Sequence, residues 1–231
     1  MNVLERSVRN SIGLVVLASL CLPSILTAQE VQPAPEAAFK RLKDGNARFA
    51  ADQLAKKDVG SKRRAELAKG QRPFAVILTC ADSRVAPELI FDQGLGDLFV
   101  LRVAGNVSNP DILGSIEYAV TALQAPLIVV LGHSQCGAVA AAINGKPLEG
   151  NLGKLIERVH VGKELPKDRD AALAAGIKAN VLYHTQELTK QSKVLEEFVS
   201  GQRVRIEAGV YSLKTGEVDW LEVRKAKEQR R

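Results

Sequence analysis

Apolar and polar positions follow two rhythms along the chain. Three short apolar runs, Phe74–Leu78 (FAVIL), Leu98–Ala104 (LFVLRVA) and Leu127–Leu131 (LIVVL), are continuous or nearly so, while the stretches around them repeat apolar residues at helical spacing. Continuous Val, Ile and Leu runs separated by helices predict a parallel sheet buried on both faces and joined by right-handed crossovers. Helical spacing over Ala37–Ala51, with Phe39, Leu42 and Phe49 on one face, predicts an amphipathic N-terminal helix, broken or bent near Gly45. Further helices are expected through KRRAELAKG, ended by Gly70, through NPDILGSIEYAVTALQ, and over a long region from about Asp168 to Ser200. The segment RVRIEAGVYSLKTGEVDWLEV reads as two strands joined by the turn KTGE. The expected fold is therefore α/β, with a mainly parallel four- to five-stranded sheet flanked by helices and a helical N-terminal arm.

The N-terminus departs from this pattern. Arg6 and Arg9 precede an apolar run from Ile12 to Leu26, and LTA then leads into the polar QEVQPAPE. That layout predicts a signal peptide over residues 1–28, a linker over 29–36 and one domain over 37–231. A retained anchor is the alternative, although fifteen residues fall short of the roughly 20 needed to span a bilayer. Leu20 fits a lipid-modified Cys21 poorly. No other segment is long and apolar enough to cross a membrane, so the expected location is exported, periplasmic or extracellular, without stable membrane insertion once the leader is gone. Composition agrees with one globular domain: 46% of the 231 residues are hydrophobic and 25% charged. The net charge of +6 does not point to nucleic acid, because basic residues are interleaved with acidic ones and aromatics make up only 4%.

Beyond the leader only Cys80 and Cys136 remain, and both fall at the ends of apolar runs, in TCADSRV and GHSQCGAV. Taken alone they read as a disulfide or as two small buried residues. His133 changes that reading. In open parallel sheets sites form outside the carboxyl ends of the strands, and two strand ends carrying Cys80, His133 and Cys136 would face each other there. Two thiolates and an imidazole suit a tetrahedral zinc site. Asp82 could close that site as a fourth ligand, or could pair with Arg84 and orient toward a bound water.

With these residues in view, CADSR followed about 50 residues later by GHSQCG resembles the paired zinc motifs of the β-class carbonic anhydrases. The likeness extends through LKDGNARF, GQRP, GDLFVLRVAGN, GSIEYAV and VYSLKTGEV, and points to the plant-like subgroup in an exported bacterial form. It implies reversible hydration of CO2 to bicarbonate and a proton by zinc-bound hydroxide, with one Zn2+ per subunit held by Cys80, His133 and Cys136. Asp82 and Arg84 would form the catalytic dyad. Gln71 would reach substrate from a neighbouring subunit, Gly137 would offer its backbone N–H to bicarbonate, and Phe99 and Tyr118 match aromatic positions lining the pocket. A homodimer or higher homo-oligomer is implied.

The chain departs from the family pattern at Val103, where many members carry Asn, and at Ala104, where a larger apolar residue often lines the pocket. Ile77 and Thr79 replace the Trp and Gly of the subgroup with an inhibitory bicarbonate site, so that pocket is expected to be absent. Hydrolases of carbonyl sulfide or carbon disulfide share the ligand set, and a non-catalytic zinc protein is the rival from another class. His160 and His184 read as ordinary surface or packed histidines.

Overall fold

The computed structural model describes residues 32–223; the expected signal peptide and residues 224–231 lie outside the described residues. Five strands form one sheet: β1 (Ala75–Thr79), β2 (Leu98–Arg102), β3 (Leu127–His133), β4 (Arg205–Tyr211) and β5 (Val218–Leu221). Their order is β2-β1-β3-β4-β5, with the first four parallel and β5 antiparallel to β4. Among the described residues eight α-helices surround it: α1 (Pro35–Ala50), α2 (Ser61–Leu67), α3 (Pro87–Ile90), α4 (Pro110–Thr121), α5 (Gly137–Asn144), α6 (Gly150–Ile156), α7 (Arg169–Gln191) and α8 (Lys193–Ser200). Among the described residues no helix is long and apolar enough to cross a membrane.

Every residue of β1 and β3 is buried, which is why these strands read as unbroken apolar runs. Successive side chains alternate between two cores. Ile77, Val129 and Leu131 pack with Ala38, Phe39 and Leu42 of α1. Val76, Leu78, Ile128 and Val130 pack with Leu113 and Ile116 of α4, Val181 and Leu188 of α7, and Leu195 of α8.

The structure corrects one expectation and sharpens two others. First, α1 runs unbroken through Gly45. A Cβ at that position would run into the backbone carbonyl of Phe91, so this glycine marks a close helix crossing against the end of α3. The helix also starts at Pro35, inside the expected linker, and Gln32 Nε2 already donates to the carbonyls of Pro73 (3.2 Å) and Leu123 (3.1 Å). Second, the long helical region is two helices. Ser192 interrupts it with extended backbone, accepts the Leu195 N–H at 3.1 Å as the cap of α8, and donates to Glu117 Oε1 at 2.6 Å. Third, β3 extends two residues past the apolar run, so that His133, paired with Tyr211, is the last strand residue.

His184 illustrates how tightly α7 is docked. Its Nδ1 accepts the Ser108 N–H at 3.1 Å with Ser108 Oγ at 2.9 Å, and its Nε2 faces the Arg158 carbonyl at 3.2 Å. Burial lowers its pKa from 6.5 to about 4, partly opposed by the Arg158 carbonyl and Glu187 and reinforced by His160. The folded protein therefore binds this proton less readily than the unfolded chain, and stability declines as pH falls from about 6.5 to about 4. Urea unfolding at pH 7.5 and 5.0 should show wild type losing about 2 kcal/mol more over that interval than a His184→Gln variant. Equal losses in the two proteins would disprove this role.

Candidate metal centre

The centre is built at the carboxyl ends of β1 and β3, which lie side by side with Thr79 paired to Leu131. Cys80 follows β1 directly, His133 ends β3, and Cys136 caps the start of α5. All three are buried, and their ligand atoms lie within 4.8 Å of one another. Both cysteines are free, so the alternative of a disulfide is not realised in the fold.

The imidazole of His133 is oriented by its surroundings. Nδ1 donates to the Ser134 carbonyl at 2.9 Å, which leaves the lone pair on Nε2. That atom is fully buried and has no hydrogen-bond partner among the described residues. A buried acceptor without a donor is unfavourable by about 1–3 kcal/mol, so the site is arranged for an electrophile. Zinc–ligand bonds of about 2.0–2.3 Å place tetrahedral donors about 3.5–3.8 Å apart, compatible with this cluster, and the sulfur, nitrogen, sulfur set matches the ion's preference. The residues present therefore fit zinc.

The two thiols share their protons unequally. Cys80 is the group drawn down, first by its hydrogen bond from Cys136 and, more weakly, by the N–H of Gly105, 3.3 Å away, against the opposing effect of burial. Cys136 is pushed up by that same neighbour and by burial, although the first-turn N–H groups of Val139 and Ala138 pull the other way. A thiolate is thus already favoured on the β1 side of the centre.

Asp82 stands outside the three-residue cluster. Its carboxylate is gripped by Arg84 through Nε (2.9 Å) and Nη2 (2.7 Å) and by the Arg84 N–H (3.0 Å), in a short turn closed by Val85 N–H on the Asp82 carbonyl. Of the two alternatives, the structure shows the pairing with Arg84, which engages both carboxylate oxygens. The guanidinium holds the carboxyl far below the ordinary carboxylate range, so it is ionised at any working pH. Asp82 Oδ2 still lies 3.9 Å from His133 Nε2, facing the ligand cluster.

The other expected site residues are not gathered here. Gln71 is exposed on the segment before β1. Phe99 pairs with Val76, four residues before Cys80 and so about 13 Å along the sheet, and its ring lies 6.2 Å from that of half-exposed Tyr118 on α4. Gly137 does sit beside the cluster, as the first residue of α5, where helix N–H groups lack acceptors within the helix. Of the departing positions, Val103 packs against the Cys80 cluster, Ala104 opens a 3-10 turn, Ile77 is fully buried in the core, and the Thr79 hydroxyl donates to the Leu131 carbonyl at 2.9 Å.

Three supporting residues escaped the sequence reading. Arg102 donates to the Cys80 carbonyl (3.3 Å) and the Asp82 carbonyl (2.7 Å), pinning the loop between them. A charge inside the apolar run LFVLRVA was its only visible signal. Gly105 donates to Cys80. Ser134 is itself held at both ends, its N–H on the Tyr211 carbonyl (2.8 Å) and its Oγ accepting the Leu213 N–H (3.0 Å).

A buried Cys-His-Cys cluster at the carboxyl edge of a parallel sheet, with an Arg-bound aspartate at its mouth, defines a metalloenzyme-type centre. The carbonic anhydrase family model matches residues 75–218, and the chain belongs to the β-class of that family, enzymes that hydrate carbon dioxide reversibly. It is 45% identical over 187 residues to carbonic anhydrase 2 of Mycobacterium tuberculosis, covering 79% of this chain and 90% of that protein. It is 56% identical over 129 residues to a carbonic anhydrase of Mycolicibacterium smegmatis, covering 54% of this chain and 63% of that one. The crystal structure of a β-carbonic anhydrase from Aspergillus fumigatus superposes with a TM-score of 0.65 at 25% identity, covering 84% of this chain and 93% of that one.

Proposed function

We propose that this chain hydrates CO2 at a single zinc ion per subunit held by Cys80, His133 and Cys136, with Asp82 and Arg84 as the catalytic dyad. The observation that carries the reading is the buried, unpartnered Nε2 of His133 beside two thiols. Zinc held there would lower the pKa of a water from about 15.7 toward about 7, supplying the nucleophile near neutral pH. The protein's part is orientation. Asp82, kept ionised and fixed by Arg84, accepts a hydrogen bond from the attacking water and so keeps an oxygen lone pair aimed at the CO2 carbon. Arg84 also keeps the Asp82 carboxylate paired, so Cys80, His133 and Cys136 would be the residues that hold the ion. The Gly137 N–H stabilises charge building on a substrate oxygen at the start of α5.

Gln71, Phe99 and Tyr118 act, on this reading, in the pocket of a second copy, since their own cluster is too far along the sheet. That makes the enzyme a homodimer or a higher oligomer with composite pockets. On the same reading residues 1–28 act as a leader that exports the chain, and the enzyme belongs to the plant-like subgroup. Zinc analysis and stopped-flow CO2 hydration on the chain from Gln29 test the proposal. One zinc per chain with hydration well above background is expected; full zinc without activity at any pH from about 6 to 9 would refute the catalytic roles.

A further inference from the structure

Asn180 is fully buried on α7, yet its amide is used at both ends. Nδ2 donates to the Gly105 carbonyl at 2.7 Å, and Oδ1 accepts the His160 N–H at 2.9 Å. Gly105 in turn donates its own N–H to Cys80 Sγ at 3.3 Å. One residue therefore separates a buried side chain on a long helix from a metal-ligand sulfur.

The turn is closed by the Asn106 N–H on the Val103 carbonyl at 2.9 Å, and the Gly105 carbonyl is held by Asn180. Gly105 has φ 74° and ψ 14°, in the left-handed region, within a three-residue 3-10 turn. A Cβ there would meet Val159 Cγ2 at 3.0 Å and Ala138 Cβ at 3.3 Å, so both the backbone conformation and the space call for glycine. The same residue is the one least able to fix its own conformation. The Asn180 amide supplies the restraint from outside the loop.

We infer that Asn180 is a positioning residue for the metal centre, fixing Gly105 so that its N–H points at the Cys80 sulfur. The inference rests on Cys80, His133 and Cys136 being zinc ligands. A peptide N–H on a thiolate withdraws charge from the sulfur, and outer partners of this kind typically govern metal affinity by about 10–100-fold. Only an amide serves both neighbours. Aspartate has no donor and sets a carboxylate against the Gly105 carbonyl, and leucine leaves that carbonyl and the His160 N–H without partners.

The test compares wild type, N180D, N180L and L188A, each in zinc and cobalt forms. Leu188 is buried on the same helix but packs in the core shared with α4 and α8. N180D and N180L should bind zinc about 10–100-fold more weakly in chelator competition. Their sulfur-to-cobalt charge-transfer absorption should move to longer wavelength as the sulfur regains charge. L188A should lower the melting temperature while leaving both readouts unchanged. N180D keeps the acceptor for His160, so it decides the matter if N180L does not fold. Wild-type affinity and spectrum in N180D, or equal changes in L188A, would overturn the inference alone; a wild type that binds no zinc would overturn the zinc reading and this one with it.

Discussion

Cys136→Ser should purify with less than a tenth of the wild-type zinc and hydrate CO2 about a thousandfold more slowly or worse. The serine hydroxyl stays protonated at neutral pH and cannot replace a thiolate, so only Cys80 and His133 remain to hold the ion. The fold should survive. Cys136 caps α5 at the rim of the sheet, while the packing of β1 and β3 against α1, α4 and α7 does not use it. Metal analysis, the hydration assay and far-UV circular dichroism together give the result. A variant with full zinc and an undiminished rate would remove Cys136 from the centre.

Asp82→Asn should separate metal binding from catalysis. The side chain keeps its shape and one acceptor oxygen but loses the charge that Arg84 grips, and it can no longer be relied on to accept from the attacking water. We expect kcat/KM to fall by about 10²–10³ with zinc content unchanged. Stability should change little, since the Arg84 partner is exposed to solvent. Loss of zinc along with activity would instead make Asp82 a ligand, and an unchanged rate would make the ion pair ornamental.

Much of this centre was legible from two short segments, because each reactive residue there is close in sequence to the strand end that places it. Cys80, Asp82 and Arg84 follow β1 within five residues, and Cys136 follows the end of β3 at His133 by three. The strands themselves were legible because burial on both faces leaves no polar gap in the run. What sequence could not show depends on partners far away in the chain. Gly45 looks like a helix breaker until Phe91 is found against it. Ser192 looks like any polar helix residue until its hydroxyl is seen capping Leu195. Arg102, Gly105 and Ser134 act through backbone carbonyls and N–H groups, whose direction no residue type announces. Gln71, Phe99 and Tyr118 match positions of the family pattern, yet Phe99 and Tyr118 lie along the sheet from the chain's own cluster and Gln71 is exposed before β1.

The pairing of β1 with β3 has an evolutionary consequence. Because Cys80 and His133 are brought together by the alignment of one parallel strand pair, the 53-residue separation between them carries no geometric information. Changes in the length of the connections between the two strands leave both residues in place as long as the strand alignment is kept. A one-residue slip of β3 against β1 would be fatal, since it would swing the His133 ring to the opposite side of the sheet. Selection on such a chain acts on alignment and leaves distance along the sequence nearly free.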